Sequence, residues 1–208
     1  YFLASNRLAP IQFAGTGHPD TTGLKTIDYF TSFKDIEPVN AQQNYTENLI
    51  VFDNLFNVMN TVSKKEFPLE KKSRSEFYLP ENCNLYGCFQ ALFKIHPDFD
   101  SILQQIIELD KHAKLIFFRT PSKLLEIQLK NRWSKFYPQL LKHVLFFDLM
   151  PFNQYLTFSR LMDVHLDPIY FGMGTTAHQI LNLRKPIITL QGEFLRGRMV
   201  SGFYQKLG

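Results

Sequence analysis

Two stretches of this 208-residue chain carry residue types that handle phosphate. In Phe89-Gln90-Ala91-Leu92-Phe93-Lys94-Ile95-His96-Pro97, Lys94 follows an apolar run and can offer an ammonium group to an anion at a strand end. A surface lysine at a helix start fits that segment at least as well. In Gly172-Met173-Gly174-Thr175-Thr176, glycines let the backbone approach a ligand closely. Threonine hydroxyls and the free N–H groups of a helix start can then hold a diphosphate, helped by the helix dipole. A threonine cap after a glycine turn accounts for the same residues. No Gly-Lys-Ser/Thr follows, and the segment lies too late in the chain for a dinucleotide fingerprint. His18, in the turn-forming loop Gly15–Gly23, can present a proton acceptor, whereas His96 reads as a helix cap or an exposed group. Asp163 and Asp167 flank a strand, and Asp167-Pro168 reads as a chain turn rather than half of a carboxylate pair. Gly-x-Ser-x-Gly, His-Glu-x-x-His and clustered metal ligands are all missing from the sequence.

The elements that must position these residues follow from periodicity. Short strands are expected at Ala9 to Ala14, Thr26 to Phe30 and Asn48 to Phe52, then a basic, proline-flanked linker over residues 63–80. Leu85 to Phe89 is a short apolar run. Phe99, Ile102, Leu103, Ile106 and Ile107 recur at helical spacing, which predicts a helix from Asp98 to Asp110. Leu115 to Phe118 and Val144 to Phe147 are continuously apolar, as strands buried on both faces are. Leu125, Leu129, Trp133 and Phe136 mark a helix between them, and Pro151 suits the first turn of another. Asp163 to Asp167, Pro186 to Leu190 and residues 195–206 complete the alternation. Strand and helix in alternation imply a parallel sheet covered on both faces, a Rossmann-like arrangement. Ligands bind such sheets at the carboxyl ends of strands, here after Phe89, Phe147 and Asp167.

Composition narrows the class. The hydrophobic fraction is 45% and the charged fraction 20%, as in ordinary globular proteins. No apolar run reaches the roughly 20 residues that cross a bilayer, so no membrane span is expected. The net charge of +4 sits largely in Lys64-Lys65 and Lys71-Lys72-Ser73-Arg74. A clustered run of that kind reads as a solvated linker, not as the spread basic face of a nucleic-acid binder. Cys83 and Cys88 lack zinc spacing and read as structural or surface thiols in a reducing, cytoplasmic setting. The Asn44-Tyr45-Thr46 sequon counts only in a secreted protein. Without a starting methionine or signal peptide, the chain reads as part of a longer protein.

Taken in order, the segments Arg7-Leu8-Ala9-Pro10-Ile11-Gln12, Gly17-His18-Pro19-Asp20-Thr21-Thr22-Gly23 and Thr26-Ile27-Asp28-Tyr29-Phe30 resemble the O-linked N-acetylglucosamine transferase family, including its bacterial and SPINDLY-like relatives. The resemblance continues through Tyr45-Thr46-Glu47-Asn48-Leu49, Phe89 to Pro97, Asp163 to Asp167, Gly174-Thr175-Thr176 and Pro186 to Glu193, running on to Arg198. It implies a GT-B glycosyltransferase: an α/β protein with two Rossmann-like halves and a cleft between them. Residues 1–62 would then end the acceptor-side half, and 81–208 would form the nucleotide-sugar-binding half.

The activity implied is inverting transfer of a sugar, most often N-acetylglucosamine, from a UDP-sugar donor to a protein hydroxyl, without metal or other cofactor. Relatives that use UDP-glucose or GDP-fucose, a non-catalytic nucleotide-sugar scaffold, and an epimerase on the same architecture are the alternatives. By position, Lys94 matches the lysine at the donor diphosphate, with Gln90 beside it, and Gly174, Thr175 and Thr176 match the phosphate-binding helix start. Met150, mainly through its backbone, and Tyr155 fall at the base pocket. Gln179 stands where an acidic residue commonly meets the ribose, Ala91 replaces a polar residue beside the lysine, and Met173 replaces a smaller one. His18 is the candidate general base. In the family a tetratricopeptide-repeat region usually precedes this part, and the acceptor is a protein.

Overall fold

The computed structural model describes residues 2–15, 17–54 and 69–208. The chain forms two compact units, one of Tyr1–Val58 with Leu190–Gly208 and one of Met59–Thr189.

In the first unit, β1 (Phe13–Ala14), β2 (Tyr29–Phe33) and β3 (Asn48–Phe52) pair in parallel in that order. The first strand is shorter than the apolar run Ala9 to Ala14 predicts, because side chains take over its start. Gln12 Oε1 accepts the Leu8 N–H at 3.0 Å, and Gln12 Nε2 donates to the carbonyls of Asn6 and Thr26. The second strand begins three residues later than expected; Asp28, just before it, pairs with Arg7 and accepts the Gln12 N–H. Buried Glu47 accepts from the Thr21 hydroxyl at 2.7 Å and the Thr22 N–H at 2.8 Å. These bonds fix the turn-rich loop that carries His18, whose side chain is exposed.

The second unit is the regular one. Its elements are β4 (Asn84–Cys88), α1 (Pro97–Leu109), β5 (Ala113–Phe118), α2 (Lys123–Phe136), α3 (Leu140–His143), β6 (Val144–Phe147), α4 (Phe152–Arg160), β7 (Val164–Leu166), α5 (Thr175–Asn182) and β8 (Ile187–Ile188). The strands are all parallel, in the order β6-β5-β4-β7-β8. Alternate residues of β5 serve opposite faces, as the period of two requires. Leu115 and Phe117 pack with Phe99, Leu103 and Trp133 of α1 and α2, whereas Ile116 and Phe118 pack with Phe158 of α4. Of the two strands expected to be buried on both faces, one differs: β6 is an edge strand, and its residues are only half-buried. As read from the sequence, His96 caps α1 by accepting the Asp98 N–H through Nδ1.

Two boundaries differ from the sequence reading. Residues 63–68 lie outside the described residues, but 69–80 pack onto the second unit rather than forming a solvated linker. Leu79 is buried, Glu70 N–H donates to Thr157 Oγ1, and Arg74 binds the Cys83 carbonyl and Asp163. Arg74, at the end of the basic run, is thus tied to acceptors of the second unit. The C-terminal stretch, expected to continue the second half, groups with the first unit. There α6 (Met199–Leu207) follows a tight turn at Leu195–Gly197 and lies against the turn at Lys34–Ile36. The approach is close because residue 202 is glycine: a Cβ there would sit 2.5 Å from Ile36 Cγ2. Both cysteines are free thiols, Cys88 in the core, and no helix among the described residues is long and apolar enough to cross a membrane.

The clamp between α1 and α2 is Asp100, which is fully buried and accepts from Arg132 Nε at 2.6 Å, Arg132 Nη2 at 2.9 Å and Trp133 Nε1 at 2.8 Å. Asp100→Ala leaves those donors without an acceptor, and removing one partner of a buried charge pair costs about 3–5 kcal/mol. Chemical denaturation followed by tryptophan fluorescence measures that loss, and an unchanged midpoint would show that the clamp is dispensable.

Candidate functional site

The strand order reverses between β4 and β7, so the chain leaves these neighbouring strands in opposite lateral directions and a crevice opens beyond their carboxyl ends. The segments that follow both strands meet there. After β4 a short turn at Leu92–Lys94 delivers the Lys94 side chain, and after β7 the segment 167–174 leads into α5. Lys94 Nζ donates to the Gly172 carbonyl at 3.0 Å and to Gln90 Oε1 at 3.3 Å, and stands 3.9 Å from the centre of the Phe171 ring. Lys94 is therefore half-buried at the switch point, not a free surface lysine. Burial lowers its pKa, and the nearby Asp167 carboxylate opposes that shift. An ammonium has three donors; among the described residues two have partners, which leaves one for a ligand.

The helix α5 opens at Gly174, Thr175 and Thr176 without a side-chain cap, the opposite of a threonine cap. Its first N–H groups have no intrahelical acceptors. Gly174 has φ −110° and ψ −103°, and a Cβ added there would meet nothing within 4 Å. Neither left-handed strain nor packing asks for glycine at this position, and the space beside it is open.

A cleft of about 360 Å³ lies next to this turn. Phe89, Phe118 and Tyr155 line its apolar part, Gln90, Arg119, Met150 and Gln179 its polar and adaptable part, and Thr176 joins it from α5. Five residues picked from sequence thus share one cavity: Gln90, Met150, Tyr155, Thr176 and Gln179. Lys94, Gly174 and Thr175 do not line it; they stand at the adjoining turn. His18 belongs to the other unit. Tyr155 is wedged against Phe89, Phe118 and Phe152 at 5.9–6.2 Å between ring centres, and burial pushes its hydroxyl up to about 12, so it stays protonated. Gln90 is 5% exposed; its Oε1 accepts a hydrogen bond from Lys94 Nζ, while its Nε2 has no partner among the described residues. An orphaned buried amide at the rim of a cleft costs free energy unless something accepts from it.

Two further groups were missed. Arg119 follows β5, where the same strand-end rule applies. Its N–H donates to the Phe147 carbonyl at 2.8 Å, and its guanidinium pairs with Glu126 at 3.2 Å and Asp148 at 3.3 Å. Asp167 does more than turn the chain. It is 5% exposed, accepts the Met173 N–H and the Thr189 hydroxyl, and burial raises its pKa to about 6. Beside it in β7, His165 is fully buried against Phe89 and pushed down to about 4 by burial, hence neutral. Among the described residues no three His, Cys, Asp or Glu side chains gather as a metal site.

The sequence profile of glycosyl transferase family 41 matches residues 60–208. The chain is 27% identical over 194 residues to an Arabidopsis thaliana protein named "Probable UDP-N-acetylglucosamine–peptide N-acetylglucosaminyltransferase SEC", which covers 92% of this chain and 20% of that protein. It is 28% identical over 190 residues to the tomato (Solanum lycopersicum) protein of the same enzymatic name called SPINDLY, with 89% and 20% covered. The chain thus spans about a fifth of the length of these relatives. A point mutant of the O-GlcNAc transferase of Thermobaculum terrenum superposes with a TM-score of 0.78 at 21% identity, over 95% of this chain and 36% of the other. The α/β, GT-B fold expected from the sequence agrees with that superposition.

Asp167 generates a pH-dependent prediction. Its folded pKa of about 6 exceeds the unfolded value of 3.8, so its protonated form suits the fold. The stability this contributes is complete below pH 3.8 and lost as pH rises through 6. Asp167→Asn, which cannot titrate, should match the parent near pH 4 and exceed it by up to about 3 kcal/mol at pH 8. Denaturation midpoints across that range decide it: parallel curves would reject the raised pKa.

Proposed function

The chain belongs to glycosyl transferase family 41, and on that premise we propose that it holds the diphosphate of a nucleotide-sugar donor between Lys94 and the start of α5, for transfer of the sugar to a protein hydroxyl. The observation that carries this reading is the bond from Lys94 to the Gly172 carbonyl, which brings an ammonium group to the mouth of an uncapped helix start. Gln90 Nε2, which has no partner among the described residues, adds a donor at the same rim. The names of the relatives favour UDP-N-acetylglucosamine as the donor.

In this reading the base enters the cleft between Tyr155 and Met150, and Gln179 hydrogen-bonds the ribose hydroxyls as a neutral partner. Thr175, Thr176 and the N–H groups at Gly174–Thr176 meet the phosphates. The acceptor oxygen attacks the anomeric carbon while the bond to the diphosphate breaks, and the electron pair leaves with the diphosphate. Lys94 and the helix N–H groups stabilise that growing charge, a preorganised electrostatic role that needs no metal. The hydroxyl proton passes to a general base, a role for which the sequence offers His18 as the candidate.

Lys94→Ala in the full-length protein should lower transfer of labelled sugar from UDP-N-acetylglucosamine to a peptide by about 10²–10³-fold, the usual cost of one such donor. Near-normal turnover would reject the role of Lys94. Nucleotide binding without transfer in the parent protein would favour the scaffold instead.

A further inference from the structure

We propose that Asp167 is the positioning residue of the diphosphate seat: its carboxylate braces the 171–174 turn from inside and so sets where the phosphates lie. The inference rests on the donor reading above and adds to it a residue that the sequence had assigned to a simple chain turn.

The segment after β7 folds back onto its own first residue. Asp167 Oδ1 accepts the Met173 N–H at 2.5 Å, and Oδ2 accepts the Thr189 hydroxyl at 2.8 Å. Its own N–H is fixed to the Ile188 carbonyl at 2.9 Å, so the carboxylate is anchored to the sheet at one end and to the turn at the other. Between them Gly172 lies directly on the carboxylate, where a Cβ would come within 2.6 Å of Oδ1 and 2.7 Å of Oδ2. Gly172 is thus the residue that lets the turn close over Asp167, and its carbonyl is the one that Lys94 binds. Two residues beyond the braced N–H, α5 begins. One buried carboxylate thereby determines both halves of the seat, the lysine anchor and the helix start.

The groups that face Asp167 are few. Lys94 comes from the turn after β4, Cys88 from β4 itself, Thr189 from beyond β8, and the Met173 N–H from the turn. The Cys88 thiol is pushed up by burial and stays uncharged, so Lys94 is the charged partner among them. The outer part of the segment has separate support: Tyr170, held at φ 69° in the left-handed region, donates its hydroxyl to Asp98 at 2.8 Å. Loss of the Asp167 brace therefore loosens the inner turn at 172–174 while the outer part stays tethered. The apolar walls of the cleft, Phe89, Phe118 and Tyr155, pack instead on one another, and Phe89 and Phe118 also on Phe158.

That separation gives the test. In the full-length protein, Asp167→Ala should weaken binding of UDP-N-acetylglucosamine by about tenfold or more, the equivalent of one lost hydrogen bond to a charged group. Binding of uridine, which has the base and ribose but no phosphate, should stay within about twofold. Asp167→Asn keeps an acceptor for Met173, and the threonine hydroxyl can reverse to suit the amide, so it should recover most of the affinity. Should Asp167→Ala fail to fold, Thr189→Val removes one anchor alone and should show the same selective loss at smaller size. Calorimetry with the two ligands reads all variants. Equal losses for uridine and UDP-N-acetylglucosamine, or no loss for either, would overturn the positioning role. A parent protein that binds neither ligand would overturn the donor reading beneath it.

Discussion

The second unit depends on a contact between one ammonium and one carbonyl that are 78 residues apart in the chain. The bond from Lys94 to Gly172 forms only if β4 and β7 are neighbours and the segments leaving them turn toward each other. A parallel sheet with its reversal at that point meets both conditions, because the two strands end on the same edge. The hydrophobic layers serve this geometry. Cys88 at the end of β4 and Leu166 at the end of β7 lie in the core on one face, and Leu85 and Phe89 in the core on the other, so neither strand end can shift without opening a core. The flexible four-carbon stem of lysine is thereby held at a single address, and its charge waits in a partly dehydrated place where an anion gains more than it would in bulk water.

Much of this arrangement can be read from residue order. Wherever a single face or a continuous apolar run decides the element, the boundaries fall within a residue or two: β3 and β6 run as their sequence predicts, and α1 differs by one residue at each end. Prediction weakened where side chains replace the backbone as partners. Gln12 and Asp28 take hydrogen bonds that a strand would have used, so β1 shortens and β2 starts late. The stretch at 69–80 was misread for a related reason. A run of lysine and arginine between prolines resembles a solvated linker unless one knows that Asp163 and the Cys83 carbonyl, distant or apolar in sequence, wait for Arg74.

The site shows the same division. Lys94 and the Gly174–Thr176 turn could be found by the strand-end rule, whereas Gln90, Met150, Tyr155 and Gln179, which the family resemblance named, share a cavity with Thr176. Asp167 was passed over because its role is carried by burial. A carboxylate followed by proline looks like a turn, and nothing in the one-dimensional pattern says that the chain will double back to enclose it. Arg119 was overlooked because its strand, β5, looked like core alone. The buried ionisable groups in β7 and just after it underline the point: Asp167 is raised and His165 lowered, both chiefly by desolvation, and they oppose each other as pH changes.

The placement of α6 has a consequence for biosynthesis. Because the first unit is assembled from both ends of this chain, with the second inserted in its middle, it is discontinuous in sequence. A ribosome delivers Met59–Thr189 as one uninterrupted stretch, ready to collapse on emergence. The earlier stretch must keep the groove at Lys34–Ile36 uncovered until Gly202 arrives. Vectorial synthesis thus favours completion of the second unit before that of the first, although part of the first leaves the tunnel before it.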